Sequence, residues 1–401
     1  MAAGGPPEGG NPFEGMPLFR DLQGLFAAQG PVNWDIARQV GVWTAAEGVA
    51  EPNVDPLIRI RFEELARVAE LHVADATGLA TSVAGTHVSV QPVTRAEWAA
   101  AALDAYRPLL ERLAGGLAAA GLGGVGVVED DDVTGGPDPL AGFLGNISQV
   151  MGPVLVGLQS GFMAGHLARR ALGQYDLPIP RPPSDALLVV AATVDRFATD
   201  WSLPLDDVRL WVCLNEITHH AVLGRPHVRE RLEHLLGEYA GGFEPDSSSF
   251  EARLGDLDPT DPASFQSVLG DPEAILGAMQ SDAQRALLQH IGALVAAIEG
   301  YTDHVMDVVG RKLIGSYPAL TEALRRRRVE RGDGDKFVER LFGVELAQAQ
   351  YDRGQAFVRG VLERAGDNGL NRLWHSADEL PTPAEVDAPG LWLARIDLPT
   401  S

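Results

Sequence analysis

One cysteine, Cys213, stands in 401 residues, so no disulfide can form within the chain and nothing in its covalent chemistry calls for an oxidising compartment. Buried among apolar neighbours in sequence, that thiol is expected to act as a small core residue and not as a nucleophile. Lysine is almost missing: Lys312 and Lys336 are the only two, and arginine supplies the rest of the 32 basic residues. Against 55 acidic residues they leave a formal charge of -23, a surface that repels phosphate backbones and anionic headgroups, so neither nucleic acid nor a membrane surface is an expected partner. The stretch Met1 to Pro17 has no basic segment followed by an apolar run, which argues against a secretory signal and for a cytoplasmic protein. The one long uncharged run, Pro139 to Met163, is interrupted by Asn146, Ser148, Gln149, Gln159 and Ser160. Its glycines at 142, 145, 152, 157 and 161 suit close packing, so two buried helices broken near Pro153 are expected in place of a bilayer span.

What remains is ordinary core material. Hydrophobic residues make up 45% of the chain and charged residues 22%, enough to build a large core. Arginine with abundant alanine and glycine suggests a GC-rich bacterial genome. Apolar residues at helical spacing predict short helices within 18–40, then helices over 56–77 and 94–122. The segment Ala186 to Val194, ALLVVAATV, reads as a buried strand. Asp206 is placed to cap a helix over 207–223, and further helices are expected over 272–279, 281–309, 317–331 and 335–365. The run Arg325 to Arg328 is expected as a solvated helix face. These readings divide the chain into a disordered tail (1–15), a helical region (16–122), a Gly/Asp-rich loop (123–136) and a larger domain (137–401) carrying an insertion near 241–265. The tail and the loops at 123–136 and 244–262 are expected to be its most mobile parts. The fold class is mainly α with a small β element.

The segment that carries chemistry is Trp211 to Leu223, WVCLNEITHHAVL. It follows the pattern HExxH at every position but the first. In that pattern two histidines four residues apart share a helix face and hold zinc, while the glutamate between them acts as general base on bound water. Here the three positions are Asn215, Glu216 and His219. A second helix contains EGYTDHVMD, in which Glu299 and Asp303 stand four apart. One arrangement of such peptidases takes its third zinc ligand from a glutamate on a second helix, with an aspartate one turn later orienting a first-helix histidine. Tyr301 and His304 could donate to a developing oxyanion, with Asp307 as the hydrogen-bond partner of His304. His220 could swing toward a metal if the helix were distorted, but on a straight helix it points about 100° away from His219.

The combination of LGQYDLPIP, the motif helix, IEGYTDHVMD, FGVELAQAQYDRGQAFVRGVLERAG and the closing LNRLWHSADELPTPAEVDAPGLWLARI resembles an actinobacterial family of zincin-like hydrolases, domain of unknown function 2342. The likeness runs from about Gly165 to Ile396. It implies a helix-rich zincin-like metallopeptidase fold, His219 and Glu299 as ligands and Glu216 as base, with Asn215 as a degenerate ligand position. An amide oxygen is a poor zinc donor beside imidazole, so zinc is expected to be weak or absent.

Three functions are open on these residues. The chain could be a non-catalytic zincin relative that binds a peptide or protein partner. It could be an active metal-dependent hydrolase in which His220 or His304 replaces the missing ligand. It could also be a helical scaffold or oligomerisation protein whose histidines only pack. Substrate and oligomeric state are not legible.

Overall fold

The computed structural model describes residues 30–119, 139–242 and 281–398, apart from 331 and 345. The expected tail, the first of the short helices expected within 18–40 and the loops at 123–136 and 244–262, with the helix expected over 272–279, lie outside the described residues.

Thirteen α-helices are described: α1 (Trp34–Ala45), α2 (Pro56–Thr77), α3 (Arg95–Ala119), α4 (Pro139–Arg170), α5 (Ala191–Asp200), α6 (Leu205–Leu223), α7 (Pro226–Gly241), α8 (Asp282–Leu313), α9 (Tyr317–Val329), α10 (Asp333–Phe342), α11 (Gln348–Asn371), α12 (Pro383–Asp387) and α13 (Pro389–Ile396). The described β structure is two strands, β1 (Ser89–Val93) and β2 (Ala186–Val190), paired in parallel with Ser89 opposite Ala186 and Val93 opposite Val190. The fold is mainly α with a small β element, as the sequence implies. No described helix is long and apolar enough to cross a membrane.

One apolar core runs from Ala37 on α1 to Trp392 on α13 and includes residues of nearly every element. At its centre lies α6. From Val208 to Leu223 every residue is buried except Asn215. A helix apolar on all sides is held by neighbours on all sides, and α2, α5, α7 and α8 all pack on it. The neighbouring α8 is buried without interruption from Ile291 to Thr302. It crosses α11 at a point where only glycines fit: a Cβ on Gly354 would stand 2.0 Å from the Ala296 carbonyl oxygen, and one on Gly300 2.3 Å from the Gly354 carbonyl carbon. That close approach fixes where Glu299 sits.

Several local expectations need correction. The strand ends at Val190, and Ala191 to Val194 begin α5, because once β1 ends at Val93 the chain has no further partner strand and closes its hydrogen bonds locally. The partner strand β1 is five residues long with Pro92 inside it, and its pairing partner lies far along the chain. Helix α4 continues through Pro153 without ending, and the Pro153 carbonyl accepts instead from the Asn33 N–H at 2.8 Å. Asp206 does not cap α6. The cap position is Pro204, and Asp206 holds Arg61 at 2.8 Å. The helix expected over 335–365 is two, α10 and α11, separated at Gly343, whose φ of 70° lies in the left-handed region that glycine adopts without strain.

Candidate functional site

The loop after α4 sets the site. Residues 172–175 offer four successive backbone N–H groups, and two carboxylates take them in pairs. Asp176 accepts from Leu172 and Gly173 at 3.1 and 3.2 Å, and Glu216 Oε2 accepts from Gln174 and Tyr175 at 2.8 and 3.0 Å. Gly173 lies against the Glu216 carboxyl so closely that a Cβ there would come within 2.2 Å of Cδ. The Trp98 indole donates to the Gly173 carbonyl at 3.1 Å and holds the loop from the other side. Burial, reinforced by Asp176, raises the Glu216 carboxyl to about 7 against the lowering pull of His219 and the two amides.

One turn along α6, His219 donates from Nδ1 to the Asn215 carbonyl at 3.0 Å and from Nε2 to Glu299 Oε1 at 3.1 Å. Both partners are acceptors, which fits the doubly protonated ring. Burial pulls the His219 pKa down, but the Glu299 carboxylate and then Glu216 outweigh it and lift the ring to about 9. His219 and Glu299 thus form a buried ion pair joining α6 to α8.

The other expected residues fall elsewhere. His220 points away from His219, as a straight helix requires, and bridges Tyr175 OH at 3.1 Å and Asp185 at 3.2 Å. Burial holds His220 below the usual histidine range, so the neutral ring donates from Nε2 to the carboxylate and accepts from the tyrosine at Nδ1. Asp185 is itself tied to the Val83 and Ala84 amides and the Ser82 hydroxyl. Asp303 does not reach Asn215. Its oxygens take Arg328 at 2.9 and 3.2 Å and Gln355 at 3.0 Å, while the Asn215 amide lies 3.5 Å from Glu216 Oε1. Tyr301 is buried with its ring edge-on to Trp374, centroids 5.4 Å apart, away from the cleft. His304 lines an adjoining groove, and Asp307 bonds Arg311 and the Tyr317 hydroxyl instead of His304.

A cleft of about 140 Å³ opens beside Asn215, His219 and Glu299, walled by Trp211, Arg327 and Arg328 among others. The arginine run is therefore not one solvated face. Arg325 and Arg326 are exposed at 67% and 60%, whereas Arg327 and Arg328 fall to 22% and 24% and turn inward, to Asp176 and Asp303. Tyr351 stacks 3.8 Å from the Arg328 guanidinium. A signal was available in the sequence: four successive residues on a helix cannot share one face, because each turns about 100° from the last. A groove of about 830 Å³ adjoins the cleft and shares Trp211, Leu324 and Arg328 with it.

Zinc needs at least three protein donors in a catalytic site. Of the motif positions two are of suitable chemistry, His219 Nε2 and Glu299 Oε1, while the other carboxylates on the cleft are engaged elsewhere: Asp176 with two amides and Arg327, Asp335 with His166 and Arg170, and Glu339 with the Leu346 N–H. The third position is a neutral amide, and the motif glutamate is turned to backbone N–H groups. Among the described residues no group of three or more His, Cys, Asp or Glu side chains is disposed to hold a metal ion. The residues present do not fit a complete zinc centre.

A helix bearing ExxH, packed so that its histidine meets a glutamate from a second helix, places the chain in the zincin class. A family model described as zincin-like metallopeptidase matches residues 32–393, and the chain belongs to that family. The match begins well before Gly165, so the α1 to α3 region is part of the family's fold. Among solved structures the chain is similar to one described as "a putative hydrolase with a novel fold", from Chloroflexus aurantiacus, at 24% identity and a TM-score of 0.61, covering 92% of this chain and 100% of that one. At that identity the likeness speaks for the fold alone. No curated protein matches the chain.

Proposed function

We propose that this chain is a zincin-like protein that binds a peptide or protein segment along the cleft and its adjoining groove without hydrolysing it. The observation that carries this reading is the Glu216 carboxylate, which accepts two backbone N–H groups and does not line the cleft. A general base must reach a water in the site, and here Oε2 is committed to two buried N–H donors while Oε1 faces the Asn215 amide at 3.5 Å. Asn215, the one residue from Val208 to Leu223 that is not buried, supplies no imidazole. Trp211, Leu324 and Arg328, shared between cleft and groove, give an extended ligand a continuous wall.

A metal-dependent hydrolase is the second reading, and one distance favours it. His219 Nε2 and Glu299 Oε1 stand 3.1 Å apart, close to the roughly 3.3 Å between two donors bonded tetrahedrally to one zinc at about 2 Å each.

Calorimetric zinc titration and a peptidase assay with and without chelator separate the two. The expected result is no tight stoichiometric zinc and no chelator-sensitive cleavage, with Asn215→His gaining at least about tenfold in zinc affinity. Tight zinc in the unmodified protein, lost in His219→Ala or Glu299→Ala, overturns the reading in favour of the hydrolase.

A further inference from the structure

On the far side of Trp98 from the Glu216 loop lies a second cavity of about 260 Å³, formed by α3, α7 and the turn Ile179–Pro182. Its walls are apolar: Leu109, Ile179 and Leu236, with Pro180 and Pro182 on either side of Arg181. Prolines fix φ near -65°, so the Arg181 backbone is held on both sides. Arg181 is 9% exposed and lines the cavity. Its guanidinium lies 5.4 Å from the Trp98 ring centre and 5.2 Å from that of Tyr106, and its Nη2 reaches the Tyr106 hydroxyl at 3.3 Å. Its Nε is buried with no hydrogen-bond partner. At the rim stands Arg112, exposed, whose Nη1 lies against Gly237.

Among the described residues neither arginine meets a carboxylate. That is unexpected in a chain with 55 acidic and 32 basic residues, where a buried cation could easily have been given an anion. The carboxylate on the rim, Glu233, is exposed and lies 3.8 Å from Arg229. A buried guanidinium without a counter-charge is costly unless something supplies one, and aromatic faces compensate only in part.

We propose that this cavity binds a small organic carboxylate whose acid group pairs with Arg181, guided in by Arg112, and whose apolar body fills the space beside Leu109, Ile179 and Leu236. The planar fork of a guanidinium matches a carboxylate, and the apolar walls reward a ligand that carries more than its charge. Trp98 touches both Arg181 and the Glu216 loop, through its ring face and its indole N–H to the Gly173 carbonyl.

The test titrates the full-length chain calorimetrically with benzoate and, separately, with inorganic phosphate. Benzoate is expected to saturate one site per chain, to bind more tightly than phosphate, and to weaken at least tenfold in Arg181→Gln. Leu109→Trp, which fills the cavity and leaves the guanidinium in place, should also abolish binding. This second variant keeps the test decisive if the first does not fold. Thermal melting in anion-free buffer adds a readout that a packing role would not give: Arg181→Met is expected to melt at or above the parent temperature. Absence of saturable benzoate binding, equal binding in both variants, phosphate binding more tightly than benzoate, or a lower melting temperature for Arg181→Met would each overturn the proposal.

Discussion

Replacing Glu216 by alanine and by glutamine separates a structural latch from a base. In Glu216→Ala the Gln174 and Tyr175 N–H groups lose their acceptor in a site where Glu216 is 1% exposed. Each buried donor left unpaired costs about 1 to 3 kcal/mol, and the emptied side-chain volume adds to that, so a loss of about 3 to 5 kcal/mol is expected. Glutamine changes much less. Both N–H groups converge on a single oxygen, Oε2, and an amide carbonyl oxygen with two lone pairs can accept both. Its NH2 would then replace Oε1, the atom facing Asn215 at 3.5 Å. The expected loss for Glu216→Gln is under about 1 kcal/mol, the net size of one ordinary hydrogen bond. Urea unfolding followed by circular dichroism measures both, with an unchanged m-value showing that the same surface is exposed. If Glu216→Ala stays within about 0.5 kcal/mol of the parent, the carboxylate is not a latch, and the argument that it is unavailable for catalysis fails with it.

Other expectations follow from single contacts. Gly354→Ala forces a methyl into the α8 to α11 crossing and should cost about 2 to 3 kcal/mol by the same unfolding assay. Gly173→Ala should perturb the Glu216 loop selectively, seen as faster amide exchange at Gln174 and Tyr175. Asp185 is held at about 2, below the usual carboxylate 3.8, because its amide, histidine and hydroxyl partners outweigh the cost of burial. A depressed carboxylate stabilises above its unfolded pKa and loses that contribution as pH falls. Asp185→Asn should therefore remove about 1 to 2 kcal/mol at pH 5, a deficit that vanishes between pH 4 and 2 in acid titrations of stability.

Much of the architecture could be read from spacing. The helices at 56–77 and 281–309 are marked by caps and period: Asp55 accepts from the Leu57 N–H, and Ser281 with Gln284 forms a reciprocal capping box. The pairing of His219 with Glu299 across 80 residues was legible only through a motif, because periodicity says which face of a helix is apolar but not which helix it meets. The strand β1 was hidden because a two-stranded parallel pair is specified by a partner 97 positions away, Ser89 with Ala186, and not by its own five residues. Asp303 was misassigned for a related reason. ExxxD spacing fixes a direction from α8, and the competing cation, Arg328, arrives from α9 through tertiary packing that no local pattern records.

The central helix has one further consequence. Asn215 is its only residue from Val208 to Leu223 that is not buried, whereas Trp211 and His219, which also line the cleft, are buried with the core. Asparagine and histidine codons differ by one base. A lineage could therefore discard or regain an imidazole in a single mutational step, at the least buried position between Val208 and Leu223. A change of chemistry at this position asks less of the architecture than one at any neighbouring position of the buried stretch.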